Sequence, residues 1–235
     1  MRIALMVFKM ILVAPFYILR IWWLGKHADK EKVYNWIRFC VISANKAGRV
    51  KIEVEGLENL PKEDGYVLFP NHQGLFDVLV LFEACPRPFS FVVKKEVKDV
   101  ILLKQVIDAL HSLPIDRRDL RQSMQVIKEM TERVQNGENF LIFAEGTRSK
   151  LGNRMIDMKG GSFKSAVKAK APIVPCALID SYKPFDESHT KPVSVKIFFL
   201  KPMVYEEYKD MTTVEIAAEV RRRIEEVLFE YPQYT

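Results

Sequence analysis

Residues 71–78 read NHQGLFDV, directly after the apolar run at 66–70. An imidazole and a carboxylate suffice for general-base chemistry: the ring takes a proton near neutral pH, and the acid fixes its tautomer and steadies its charge. His72 and Asp77 stand five positions apart, about 140° around a regular helix, so mid-helix they would point away from each other. They meet if a strand ends near Pro70, the chain turns through 71–74, and a helix starts at about Leu75 with Asp77 in its first turn. Gly74 tolerates the backbone angles such a turn requires. The same letters also suit a turn in which Asn71 caps and Asp77 is solvated, and the pair alone leaves both readings open.

Two further stretches carry charge at similar places. Residues 143–149, FAEGTRS, follow the strongest strand candidate and set Glu145, Thr147 and Arg148 around Gly146. Residues 114–119, PIDRRD, put Arg117 and Arg118 at another strand-to-helix junction. Guanidinium forks bind planar carboxylates or phosphate oxygens in two-point contacts. One such arginine is ordinarily a solvated ion pair; two arginine turns together with the His–Asp pair point to a site that handles an anion. There is no GxSxG elbow, no Walker pattern and no Rossmann glycine fingerprint. His27, His111 and His189 are scattered without ligand spacing, so neither a metal nor another cofactor is expected.

The elements that must hold these groups follow from periodicity. Short β-branched runs at 50–56, 66–69, 89–93, 139–144, 172–179 and 193–200 alternate with helical patterns near 75–84, 101–111, 119–136, 162–170 and 213–229. This alternation predicts an α/β domain whose ligands gather beyond the carboxyl ends of strands. Residues 180–192 form the one obvious long loop. At 235 residues and 49% hydrophobic, the chain suits one sizeable core. Three widely spaced cysteines, Cys40, Cys85 and Cys176, form no CxxC pair and fit a reducing, cytosol-facing setting. The formal charge of +6 suits a membrane surface or an anionic substrate. It would also suit nucleic acid, but no recognition motif accompanies it.

The first 48 residues have a different character. Their longest uncharged apolar stretch, residues 10–19, rises only about 15 Å as a helix against a hydrocarbon core of roughly 30 Å. Pro15 would bend a helix, Trp22 and Trp23 suit the interface, and Lys9, Arg20, Lys26, Lys30 and Lys32 are placed to reach lipid phosphates. Residues 33–47 repeat apolar positions at helical spacing. A hairpin lying in one leaflet is expected, with a tilted spanning helix as the alternative. No small-residue cleavage site follows, which disfavours a signal peptide. The division expected is an anchoring segment at 1–48 and a catalytic domain at 49–235.

With these residues in view, the chain resembles the glycerolipid acyltransferases of the 1-acyl-glycerol-3-phosphate acyltransferase type. NHQGLFD, PIDRRD, FAEGTRS and the apolar APIVPCAL at 171–178 stand in that family's order, and FVVKKEV at 91–97 is similar to its lysine-bearing strand end. Two positions depart: Gly74 where serine is common, and Ala144 where proline is. The resemblance implies a mixed sheet flanked by helices with an N-terminal membrane-associated hairpin. It implies acyl transfer from a thioester, acyl-CoA or acyl carrier protein, to the free hydroxyl of lysophosphatidic acid, giving phosphatidic acid. His72 would be the base and Asp77 its orienting acid. Lys94, Arg117 and Arg148 would hold the acceptor's phosphate, with Lys95 and Arg118 as alternates. Glu145 would steady an arginine or touch the glycerol, and Gly146 and Thr147 in the same turn would also bind substrate. The expected partners are this lysophospholipid acceptor, the thioester donor and membrane lipids, and the expected location is the cytoplasmic face of the cell membrane. Other acceptors (glycerol 3-phosphate, another lysophospholipid or a lyso-aminolipid) and a non-catalytic membrane-binding role are the alternatives.

Overall fold

The computed structural model describes residues 1–98, 103–116 and 118–231. Three helices come first: α1 (Arg2–Met10), α2 (Ala14–His27) and α3 (Lys30–Ala47). There follow β1 (Val50–Glu55), β2 (Val67–Pro70), α4 (Asp77–Ala84), β3 (Phe89–Lys94), α5 (Leu103–Ala109), β4 (Leu113–Ile115), α6 (Leu120–Gln135) and β5 (Asn139–Leu141). The chain closes with α7 (Lys164–Ala169), β6 (Ile173–Ile179), α8 (Lys183–Asp186), β7 (Val193–Phe199), α9 (Tyr205–Tyr208) and α10 (Thr213–Leu228).

The strands form one sheet in the order β1-β7-β6-β2-β5-β3-β4. Among the described strands β6 and β7 pair antiparallel and the other pairs are parallel, so the sheet is mixed. Alternation along the strands builds two cores. Leu68, Phe91, Leu141, Val174, Cys176 and Ile197 face a layer containing α1 to α5. Val67, Phe69, Phe140, Ile173 and Ala177 face α6, α7 and α10. With both faces covered, β6 is buried at all seven positions, which is why its sequence reads as a continuous apolar run rather than an alternating one.

Three of the helix starts, those of α3, α6 and α10, carry side-chain caps. Asp29 accepts from Lys32 N, Asp119 from Gln122 N, and Thr212 with Glu215 closes a capping box on α10. The N-terminal stretch departs from the expected two-segment hairpin. It holds three helices, and the bend, 78° between α1 and α2, falls at residues 11–13 rather than at Pro15. Pro15 sits in the first turn of α2, where its missing N–H costs no intrahelical bond.

Among the described residues no single helix is long and apolar enough to cross a membrane, although α1 and α2 together pass that test as a broken pair. Their outer surface carries exposed Val7, Phe8, Ile11, Leu12, Phe16, Leu19, Trp22 and Trp23. Behind them, α3 buries Val33, Tyr34 and Ile37 in the sheet's own core. Lys30 is not free to meet lipid: its ammonium donates to Ser90 Oγ at 2.9 Å and pairs with Glu138 at 2.7 Å. Lys26 and Arg20 lie instead over the rings of Trp22 and Trp36.

Candidate active site

β6, β2, β5, β3 and β4 are mutually parallel neighbours, so their carboxyl ends share one edge of the sheet. The sequence-selected residues follow those ends. His72 comes two residues after β2, Glu145 to Arg148 follow β5, and Lys94 closes β3. Arg117, two residues past β4, lies outside the described residues. At about 4.8 Å per strand, Lys94 stands two spacings, about 10 Å, to one side of the His72 strand.

The turn after Pro70 is as the spacing predicted, with α4 starting at Asp77 itself. His72 Nδ1 lies 2.7 Å from Asp77 Oδ2. Asp77 is 0% exposed and accepts further bonds from Gln73 N (2.7 Å), from Gly74 N (3.1 Å to each oxygen) and from Ser181 Oγ (2.6 Å). A carboxylate so surrounded is held as an acceptor, which assigns the ring proton to Nδ1 and leaves the lone pair on Nε2. Nε2 has no partner among the described residues, and the His72 side chain keeps 18% of its surface open. One ring face stacks on Phe143, with centroids 4.0 Å apart. The solvated Asp77 of the alternative reading is therefore excluded. Asn71 is buried as well, exchanging bonds of 3.0 and 2.7 Å with the backbone of Leu178 on β6.

The FAEGTRS turn locks onto this loop. Glu145 is 1% exposed; Oε1 accepts from His72 N at 2.7 Å and Oε2 from Ile156 N at 3.0 Å. Ser149 N donates to His72 O at 2.8 Å. Glu145 thus acts as a strut for the backbone of His72, and it forms no ion pair with an arginine among the described residues. Burial pushes its carboxyl up to about 7, against the pull of the two N–H donors. Gly146 takes φ +78°, a conformation that side chains other than glycine strain to adopt. Thr147 is exposed. Arg148 is half-buried with no ion pair or hydrogen bond among the described residues, and Lys94 is exposed and likewise unpaired. Of the alternates, Lys95 pairs with Asp116 at 3.5 Å, while Arg118 gives the same carboxylate only its backbone N–H.

The sequence reading did not include Gln73, Asn153 and Ser181. Gln73 Nε2 donates to Asn153 Oδ1 (2.9 Å) and Leu178 O (2.7 Å), while its Oε1 accepts from Ser181 N (3.0 Å). Gln73 lies inside the quoted motif, and a polar residue next to a proposed base was a usable signal. Ser181 is 104 positions from Asp77, and only the pairing of β2 with β6 brings it in. Among the described residues no three His, Cys, Asp or Glu side chains converge as a metal-binding group.

Comparison with known proteins bears on what such an edge is for. A family model described as Acyltransferase matches residues 51–179, more than half of the chain. The chain is 33% identical over 146 residues to a 1-acyl-sn-glycerol-3-phosphate acyltransferase of Pseudomonas aeruginosa, covering 62% of this chain and 56% of that one. It is 32% identical over 134 residues to a chloroplastic 1-acyl-sn-glycerol-3-phosphate acyltransferase of Arabidopsis thaliana, covering 57% of this chain and 37% of the relative. The match thus spans little more than a third of that relative's length. In fold, the crystal structure of the 1-acyl-sn-glycerophosphate (LPA) acyltransferase PlsC from Thermotoga maritima aligns with a TM-score of 0.77 over 97% of each chain, at 20% identity.

Proposed function

This chain belongs to the acyltransferase family, and from that membership we propose that it moves a fatty acyl group from a thioester to the free hydroxyl of lysophosphatidic acid, forming phosphatidic acid. The observation that carries the reading is the 2.7 Å contact between His72 Nδ1 and the fully buried Asp77, which leaves Nε2 open. Nε2 takes the proton of the acceptor hydroxyl as its oxygen attacks the thioester carbonyl. Asp77 stabilises the imidazolium that forms. The tetrahedral intermediate collapses with cleavage of the carbon–sulfur bond, and the imidazolium returns its proton to the departing thiolate. The substrate hydroxyl is the nucleophile, so no serine or cysteine of the enzyme is acylated.

The acceptor's phosphate is assigned to Arg148 and Lys94, whose charges have no carboxylate partner among the described residues, together with Arg117. The donor is a thioester of coenzyme A or of acyl carrier protein. The names of the relatives supply the acceptor, and the unpaired cations agree with its charge. We place the enzyme on the cytoplasmic face of a membrane, with the exposed apolar surface of α1 and α2 in the lipid. An acceptor whose acyl chain stays in the bilayer then reaches the site without exposing that chain to water, which would cost about 0.8 kcal/mol per methylene.

The test is acyl transfer by the purified full chain, with lysophosphatidic acid and glycerol 3-phosphate competing for one thioester donor. Phosphatidic acid as the dominant product is expected; exclusive acylation of glycerol 3-phosphate would overturn the assigned acceptor. For the membrane part, Leu12→Glu combined with Phe8→Glu is expected to lower cosedimentation with anionic vesicles while leaving the fold intact. Unchanged cosedimentation would remove these helices as the anchor.

A further inference from the structure

We propose that Ser181 is a positioning residue for the proton transfer, giving the Asp77 carboxylate a hydroxyl that the tightly packed glycine at 74 does not supply. This inference rests on the His72–Asp77 reading above. A Cβ at Gly74 would sit 3.0 Å from Tyr182 Cα and 3.5 Å from Ser181 O, so the chain beyond β6 packs directly against the turn. That close approach brings Ser181 Oγ to 2.6 Å from Asp77 Oδ1, with both side chains fully buried.

The two oxygens of Asp77 have divided duties. Oδ2 serves His72 Nδ1 and Gln73 N, both at 2.7 Å; Gly74 N is shared evenly; Oδ1 has Ser181 as its own donor. Ser181 Oγ also lies 2.9 Å from Gln73 Oε1, but a hydroxyl has one proton, and the closer, charged acceptor takes it. Gln73 then acts as a clamp, because its Oε1 holds Ser181 N and its Nε2 is fixed by Leu178 O and Asn153 Oδ1. Without the hydroxyl, Oδ1 is left under-bonded in a site closed to water. The carboxylate turns to share its remaining donors, and Oδ2 moves off the imidazole. The effect belongs to the chemical step and not to substrate affinity, since Ser181 touches neither open nitrogen nor cation.

The experiment compares wild type, Ser181→Ala and His72→Ala as full chains, reading kcat, the KM of each substrate, the thermal midpoint and the downfield proton resonance of His72 Nδ1–H. Ser181→Ala is expected to lose about tenfold in kcat with both KM values unchanged, a midpoint lower by a few degrees as befits an under-bonded buried carboxylate, and its Nδ1–H resonance to move upfield. Should the alanine variant fail to fold, Ser181→Cys, similar in size but a weak donor, carries the same expectation. Wild-type kcat in the Ser181 variant, or a loss confined to KM, overturns the inference. His72→Ala separates the two levels. If it retains turnover, the parent reading fails; if it is inactive while Ser181→Ala matches wild type, only the role of Ser181 fails.

Discussion

The two ends of the site are built on opposite terms. Around the His72 ring the supporting side chains are spoken for: Asn71, Gln73 and Asp77 after β2, Ser181 after β6 and Glu145 from the turn after β5 are buried, and each has hydrogen-bond partners. At β5 and β3, Arg148 and Lys94 stand half-buried or exposed with no counter-charge among the described residues. A base that must meet a hydroxyl in one geometry gains from a shell that leaves it no alternative position. A phosphate clamp gains from the reverse, because a guanidinium already paired with a carboxylate would have to give up that pair to bind. Under the proposed function, the difference puts chemistry at one end and affinity at the other.

Substitutions can break that division. The largest effect is expected at the base: His72→Ala, and nearly as much Asp77→Ala, lowers kcat about a thousandfold with little change in the acceptor KM, as read in steady-state acyl transfer. A KM effect of comparable size would show that the ordered end also binds the acceptor. Next comes Arg148→Ala, expected to raise the acceptor KM about 10- to 100-fold while kcat holds within a few-fold, the size of a lost charge-assisted bond. Lys94→Ala follows with a rise of a few-fold that shrinks further at high salt, as befits an exposed charge. The smallest effect sharpens the comparison at the strut between the two ends. Glu145 has a carboxyl raised from 4.5 to about 7 in the folded state. Folding therefore binds a proton across that window, and the contribution of Glu145 to stability is fully present below pH about 4.5 and lost as pH rises through about 7. Glu145→Gln removes the titration, so the difference in thermal midpoint between wild type and variant should drift across that interval, with wild type losing ground toward neutral pH. A difference independent of pH would mean that the group stays ionised.

How much of this was written locally in the sequence follows from how far apart the partners are. The His–Asp turn was legible because a strand, a glycine-containing turn and a helix start lie within ten residues, and local sterics decide such a unit. The strands at β1, β2, β3, β6 and β7 were legible from β-branched runs. β4 was legible only as the strand implied by the junction at 114–119; its range was not, because three residues containing Pro114 carry no periodicity and the strand is defined by its pairing with β3. β5 was expected to run to Ala144 but ends at Leu141, because the chain leaves the ladder to form the Glu145 turn. The bend of the N-terminal segment was misplaced for a similar reason: proline fits the first turn of a helix as well as it breaks the middle of one. Glu145 was named from its motif, yet its two backbone partners, 73 and 11 residues away, could not be read. Ser181 had no local signal; its place follows from the packing of the chain beyond β6 against Gly74.

The central claim is that His72 supplies the base and the cations supply the grip. It is tested most directly by measuring kcat at saturating lysophosphatidic acid for folded His72→Ala and Arg148→Ala beside wild type. The account predicts loss of turnover in the first and near-complete recovery of turnover in the second once the acceptor saturates. Turnover by His72→Ala near the wild-type rate would contradict it.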